Sequence, residues 1–139
     1  MKKIAIIGAG MAGAAAGQGL TKAGHQVTLF DKGRGPGGRM STRRMETPLG
    51  TVRMDHGAQF ITARGEAFVA AVTEWTKAGA CAAWDGRLVA IDADGKIGPL
   101  GGDIRHVGVG GMNGVVKAAL DGLDARFGQQ VVAIEGGPR

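Results

Sequence analysis

The sequence predicts an α/β fold built on a parallel sheet. Three observations carry this. An uninterrupted apolar run, Ile4-Ala5-Ile6-Ile7, stands near the start. A glycine-rich turn, Gly8-Ala9-Gly10-Met11-Ala12-Gly13, follows and leads into an Ala/Gly-rich stretch. A second apolar run, Val27-Thr28-Leu29-Phe30, then ends on Asp31. Strand, turn, helix, strand and acid follow one another as a βαβ start.

Each residue type has a physical role. Ile4, Ile6 and Ile7 show no polar alternation, as a parallel strand covered on both faces requires. Gly8 permits the tight turn, Gly10 leaves backbone room for a diphosphate, and Gly13 lets the helix lie close to the sheet. The amides at the helix start, with Met11 and Ala12 in its first turn, face the anion with the helix dipole behind them. Gly17 lies one turn beyond Gly13 on the same face and extends the close contact. Gly24 stops the helix. Asp31 ends the second strand, where a carboxylate accepts hydrogen bonds from ribose hydroxyls. A glycine fingerprint alone is a weak signal. With the strand before, the helix within and the acid after, it specifies a Rossmann-like adenine-dinucleotide site. A secretory leader fits poorly despite Lys2, Lys3 and Ala14-Ala15-Ala16, because glycines break the apolar region and the pattern runs on into a second strand. Glycines and Gln18 also interrupt the stretch too often for a bilayer span.

The next segment is Lys32-Gly33-Arg34-Gly35-Pro36-Gly37-Gly38-Arg39-Met40-Ser41-Thr42. Its glycines and proline predict a loop. Arg34, Arg39, Arg43 and Arg44 lie in or just after it. Freed backbone amides and arginine forks suit a phosphate, and a flexible basic surface loop fits the same residues.

At this point the chain resembles a family. The fingerprint, Asp31 and Gly37-Gly38-Arg39 are similar to the start of the flavin-dependent amine oxidase superfamily. Arg39-Met40-Ser41-Thr42 and Asp55-His56-Gly57-Ala58-Gln59-Phe60-Ile61-Thr62 resemble its renalase-like branch. So do Gly110-Gly111-Met112-Asn113, opening a helix, and Val131-Val132-Ala133-Ile134, like the strand that supports an adenine. The resemblance covers nearly the whole chain in order and implies FAD as the cofactor. It implies that Gly8, Gly10, Gly13, Asp31, Gly38, Arg39 and the Val131 backbone contact the adenine-dinucleotide part. Ser41, Thr42, Ala58, Gln59 and Phe60 then lie nearer the isoalloxazine, and Met11, Ala12, Lys32, Met40 and Gly57 complete the cofactor-binding set. No catalytic acid or base is implied, since the flavin carries the electrons and the protein supplies position and electrostatics.

The remaining chain reads coarsely. Residues 66–79 fit a helix with Phe68, Val72 and Trp75 near one face, Trp75 as core. Residues 82–97 read as short strands around two hairpin turns, Asp85-Gly86 and Asp94-Gly95. Residues 104–109 form another short strand. A helix is expected over 113–127, capped by Asn113, with Val116, Leu120, Leu123 and Phe127 on one face and Gly128 as its stop. A strand follows at 130–135, ending at Glu135. The expected architecture is a parallel sheet, ordered as the 130s strand, the 27–30 strand and the 4–7 strand, with a small inserted β layer near 82–109.

Composition bounds the rest. The chain has 139 residues, enough for about one domain. Its 27 glycines sit in turns rather than in a repeat, and the scarcity of aromatics leaves the core to Val, Ile, Leu and Ala. The net charge of +5 invites a polyanion partner. Yet the basic residues cluster at 32–44 with no interleaved aromatic, so neither nucleic acid nor membrane is expected as a partner. Cys81 stands alone, which excludes an intrachain disulfide and suits a reducing cytoplasm. No Cys/His spacing suits a metal. His25 reads as a turn residue. His56 is the one histidine within a motif and is expected to be structural.

In the expected strand order, the 4–7 strand is an exposed apolar edge, which folded chains avoid. Residues 1–139 are therefore expected to be a partial FAD-binding domain, without a substrate domain or a later flavin-contacting segment. A homo-oligomer paired through that edge is one consequence. The leading expectation is an FAD-dependent oxidoreductase, or the FAD-binding part of one, taking a hydride from a reduced nicotinamide or an amine-like small molecule. The alternatives are a dinucleotide-binding module without turnover and an NAD(P)-dependent dehydrogenase.

Overall fold

Strand β1 (Lys3–Ile7), helix α1 (Met11–Lys22) and strand β2 (Gln26–Phe30) open the chain. A single 3-10 turn (Gly38–Met40) precedes β3 (Thr42–Thr47), β4 (Gly50–Asp55) and β5 (Ile61–Thr62). Next come α2 (Glu66–Lys77), β6 (Cys81–Ala83), β7 (Val89–Ile91), β8 (Ile97–Pro99) and β9 (Arg105–Gly108). Helix α3 (Asn113–Ala119) and β10 (Asp124–Arg126) close the order. The computed structural model describes residues 1–137. Pro138 and Arg139, at the end of the chain tail in which no further strand was expected, lie outside the described residues.

The α/β class holds. β2 is the centre of a parallel sheet ordered β1-β2-β10, with Lys3 to Ile7 aligned to Gln26 to Phe30 in register. Val27 and Leu29 of β2 are buried. β1 is an edge, as the strand order required, and Ile7 is 58% exposed. Helix α1 ends in a Schellman motif: the Gly24 N–H donates to Thr21 and the His25 N–H to Leu20. Its start lies hard against the turn out of β1. A Cβ on Gly13 would sit 1.9 Å from the Gly8 carbonyl oxygen. Gly8 has a φ of +105°, which only glycine adopts without strain.

The third sheet strand is not where the periodicity put it. Helix α3 stops at Ala119, and β10 pairs with β2 as Asp124↔Thr28 and Arg126↔Phe30. Asp121-Gly122 turns the chain, with Gly122 at a φ of +75°. Leu123, Ala125 and Phe127 then alternate as half-buried positions, a strand rhythm that the helical spacing of Leu123 and Phe127 concealed. Residues 130–135 form no strand, and Val132 and Ile134 are exposed. Asn113 does not cap α3. Met112 occupies the cap position and its side chain makes no capping bond.

The small β layer is present as the sheet β5-β9-β6 and the hairpin β7–β8. Asp94-Gly95 shapes that hairpin, with Asp92 Oδ1 accepting from the Asp94 and Lys96 amides. Asp85-Gly86 does not form a hairpin, because β6 is taken by β9 and the Trp84 N–H by Arg105. The segment 32–42 is not wholly irregular: it holds the 3-10 turn and the first residue of the β3–β4 hairpin. Two apolar clusters support these layers. Ala9, Ala14, Val27, Leu29, Val116, Ala119 and Leu120 fill the first, beneath the parallel sheet. Ile61, Val72, Cys81, Met112 and Val115 fill the second. Helix α3 contributes to both, and Trp75 packs against both as a core residue.

Two predictions follow from this packing. Gly13→Ala should lower stability by roughly 1–3 kcal/mol or prevent folding, because backbone cannot yield to the added carbon. An unchanged urea midpoint would refute it. The second concerns β10. Hydrogen bonds from Arg126 and then Thr28 hold the Asp124 carboxyl below its ordinary range. A depressed folded value stabilises above the unfolded pKa and is lost as pH falls through the folded one. The urea midpoint of Asp124→Asn should therefore trail wild type near pH 6, and the gap should close below about pH 4. A gap that persists in acid would remove the carboxylate from the account.

Candidate dinucleotide site

Two clefts meet at Gly38. The larger, of about 870 Å³, is lined by Gly10, Met11, Ala12, Gly37, Gly38, Arg39, Met40, His56, Gly57 and Ala58. The smaller, of about 440 Å³, is lined by Ile7, Gly8, Phe30, Asp31, Lys32, Gly38, Gln129, Gln130 and Val131. The head of α1 opens onto the larger one. No side chain caps this helix end and no acid sits in its first turn. Its leading amides therefore have no intrahelical partner and carry the positive end of the helix dipole.

Backbone bonds assemble the walls. The Gly8 N–H donates to Phe30, fixing the turn beside the end of β2. Asp31 holds both sides of the smaller cleft: Oδ2 accepts from the Ala9 N–H and Oδ1 from the Gly33 N–H, each at 2.7 Å. A carboxylate offers about four lone-pair sites, so each oxygen keeps capacity for a ribose hydroxyl. The Gly128 and Gln129 amides donate to Gly33 and Asp31 at 2.8 Å. This pairing, rather than a strand, brings Val131 to the cleft. On the other side, the Ala58 N–H donates to the Arg39 carbonyl at 2.9 Å. A Cβ on Gly57 would lie 2.0 Å from that same oxygen, so the two motif segments touch through bare backbone.

Gly10 differs from Gly13 and Gly57. Its φ is −82°, which any residue adopts, and an added Cβ would meet nothing nearer than 3.8 Å. Folding does not demand a glycine there. The added carbon would instead occupy the cleft itself, which is the fit expected of a cradle for a bulky group.

Of the residues expected at the site, Gly10, Met11, Ala12, Gly38, Arg39, Met40, Gly57 and Ala58 line the larger cleft, and Gly8, Asp31, Lys32, Gly38 and Val131 the smaller. Gly13 lies behind the wall. Ser41 is beside it, its Oγ 3.3 Å from His56 Nε2. Thr42 is a joint in the fold: its hydroxyl donates to Asp55 Oδ1 and accepts from the Asn113 N–H. Gln59 and Phe60 line neither cleft, and the Phe60 ring lies 5.0 Å from the Arg105 guanidinium. Of the basic segment, only Lys32 and Arg39 reach a cleft; Arg34, Arg43 and Arg44 do not. Sequence reasoning missed His56, Gly37, Phe30, Ile7, Gln129 and Gln130 as lining residues. The first two lie within quoted motifs; the two glutamines carry no signal. Among the described residues, no His/Cys/Asp/Glu group is arranged to hold a metal, and no helix is long and apolar enough to cross a membrane.

Residues 6–74 match the family of NAD(P)-binding Rossmann-like domains. The chain is 49% identical over 45 residues to an L-amino-acid oxidase of Pseudechis australis, covering 32% of this chain and 9% of that protein. It is 51% identical over 39 residues to a 4,4'-diapophytoene desaturase of Staphylococcus aureus (strain Newman), covering 28% of this chain and 8% of that protein. Among solved structures, putrescine oxidase bound to putrescine is similar over 73% of this chain and 22% of its own, at 23% identity and a TM-score of 0.46. The chain thus spans a small fraction of the length of the relatives it matches. The family match runs from the end of β1 to within α2, just under half of the chain.

Proposed function

We propose that this chain is the FAD-binding portion of an FAD-dependent oxidoreductase from the renalase-like branch of the flavin-dependent amine oxidase superfamily. The observation that carries the reading is Gly10. It is a glycine the fold does not need, at the mouth of a cleft whose floor is the uncapped head of a helix. A second cleft with Asp31 in its wall adjoins the first at Gly38. A ligand with a diphosphate centre, a ribose on one side and a large ring system on the other suits that pair of spaces. Relatives named as an L-amino-acid oxidase and a desaturase support an oxidoreductase. The Gly37–Thr42 and Asp55–Phe60 segments favour FAD over a nicotinamide dinucleotide in this first site.

When bound, the flavin supplies hydride acceptance from a reduced nicotinamide or an amine-like small molecule, and returns the electrons to oxygen or another acceptor. The chain's own residues bind and orient. The Met11 and Ala12 amides hold the diphosphate, helped by Arg39. Asp31 fixes the ribose on the far side of Gly38, next to Lys32 and the Val131 backbone. The segment Gly57–Ala58, locked onto Arg39, forms the wall toward the ring end. The lone thiol Cys81 suits a reducing cytoplasm. A second reading rests on the family matched by residues 6–74, whose name points to a nicotinamide dinucleotide.

The purified chain should be yellow or quench flavin fluorescence on titration with FAD. A colourless chain that binds NAD instead would overturn the cofactor assignment. Gly10→Val should weaken FAD binding by about 100-fold, near 2.7 kcal/mol, because its side chain takes the diphosphate's place. Its melting temperature should stay within about 3 °C of wild type. Undiminished binding in that variant would remove the cradle.

A further inference from the structure

His56 belongs to no cofactor contact argued so far, and its residue type was expected to be structural. The structure gives it a different position. It lines the larger cleft on the wall that Gly57 and Ala58 continue, across the mouth from Gly10, Met11 and Ala12. It is exposed rather than packed. Its Nε2 has one partner, the Ser41 hydroxyl at 3.3 Å, a long bond from the residue that ends the 3-10 turn. A side chain held for the fold would be buried or firmly bonded. This one is loosely held and open to the cleft.

We infer that His56, steadied by Ser41, is a ligand-binding side chain that donates a hydrogen bond to the diphosphate of the bound dinucleotide. This rests on the reading of the cleft as a dinucleotide site. The charged surroundings agree. From the 3-10 turn the facing charge is Arg39, and the first turn of α1 contributes no acid. The neighbouring carboxylate, Asp55, is engaged by the Thr42 hydroxyl and the Met112 N–H. A diphosphate is then the anion available to an imidazole N–H donor in that wall. A donor aimed at a diphosphate oxygen makes a charge-assisted hydrogen bond, so its removal must weaken every ligand that carries the diphosphate.

The test is the dissociation constant of FAD, and separately of ADP-ribose, for the 139-residue chain and its variants at one pH and salt concentration, read by fluorescence or calorimetry. His56→Ala should bind both about fivefold more weakly than wild type, the size of one charge-assisted contact at a partly screened site. His56→Gln, which keeps a neutral donor, should recover part of that loss. Ser41→Ala should weaken both ligands by less than His56→Ala does. Undiminished binding in His56→Ala overturns the proposal. A loss seen with FAD and absent with ADP-ribose overturns the diphosphate as the acceptor. Failure of the underlying reading looks different: neither ligand binds, or Gly10→Val binds both as wild type does.

Discussion

The arrangement depends on the approach of one helix to one turn. With hydrogen in place of a side chain at Gly13, the head of α1 can lie against the Gly8 carbonyl, where a methyl group would sit 1.9 Å from that oxygen. This contact sets where the leading amides of α1 point. It also sets how far the turn stands from Gly37 and Gly38, since Gly10 bridges to Gly37 along the backbone. A larger residue at 13 would move the helix off the sheet, and both clefts would change shape together. The glycines thus divide by purpose. Gly8 and Gly13 serve the turn and the packing, and Gly10 serves the space in front of them.

Asp31 has the corresponding role on the other side. It closes β2, and its two oxygens gather amides from the β1 turn and from the following loop. Its own N–H donates to Arg126, and its carbonyl accepts from Gln129. One residue therefore registers three segments: the fingerprint turn, the glycine loop and the chain leaving β10. The walls so built consist mostly of backbone. That explains why a segment rich in arginine contributes only Arg39 and Lys32 to the clefts, while Arg43 and Arg44 go to an exposed hairpin strand. Recognition that relies on amides and a helix end needs few cations, and each cation left outside remains hydrated at little cost.

The βαβ start was legible because every signal there is local: an apolar run, glycines with separate geometric duties, and an acid closing a strand. The third strand was not. Leu123 and Phe127 satisfy helical spacing, but Leu123, Ala125 and Phe127 satisfy strand spacing equally, and only the Asp121-Gly122 turn decides between them. Two other Asp-Gly pairs were read as hairpin turns. One of them, Asp85-Gly86, is not, since β6 finds its partner in the distant β9. Strand partners far apart in sequence leave no local mark. The site divided in the same way. Residues whose task is set by backbone geometry, Gly8, Gly10, Asp31, Gly38 and Gly57, line the two clefts. Thr42, Gln59 and Phe60 were placed by analogy along the chain, and they line neither cleft.

Thr42 shows what such residues do instead. Its hydroxyl and the Asp55 carboxylate sit together at the open base of the β3–β4 hairpin, paired in register. Together they receive the Met112 and Asn113 amides at the head of α3. Gly111 has no side chain because Thr42 fills that space: a Cβ there would lie 2.5 Å from the Thr42 hydroxyl. This joint satisfies amides that a helix start otherwise leaves open, and it does so from a strand pair exposed along most of its length. Helix α3 in turn supplies both apolar clusters. The hairpin is thereby anchored at its base to the core, and the residues just outside that base, Met40 before it and His56 to Ala58 after it, are held where they line the larger cleft. The threonine positions the cleft wall by fixing the hairpin, which is why a residue that touches no cleft still belongs in the motif that surrounds one.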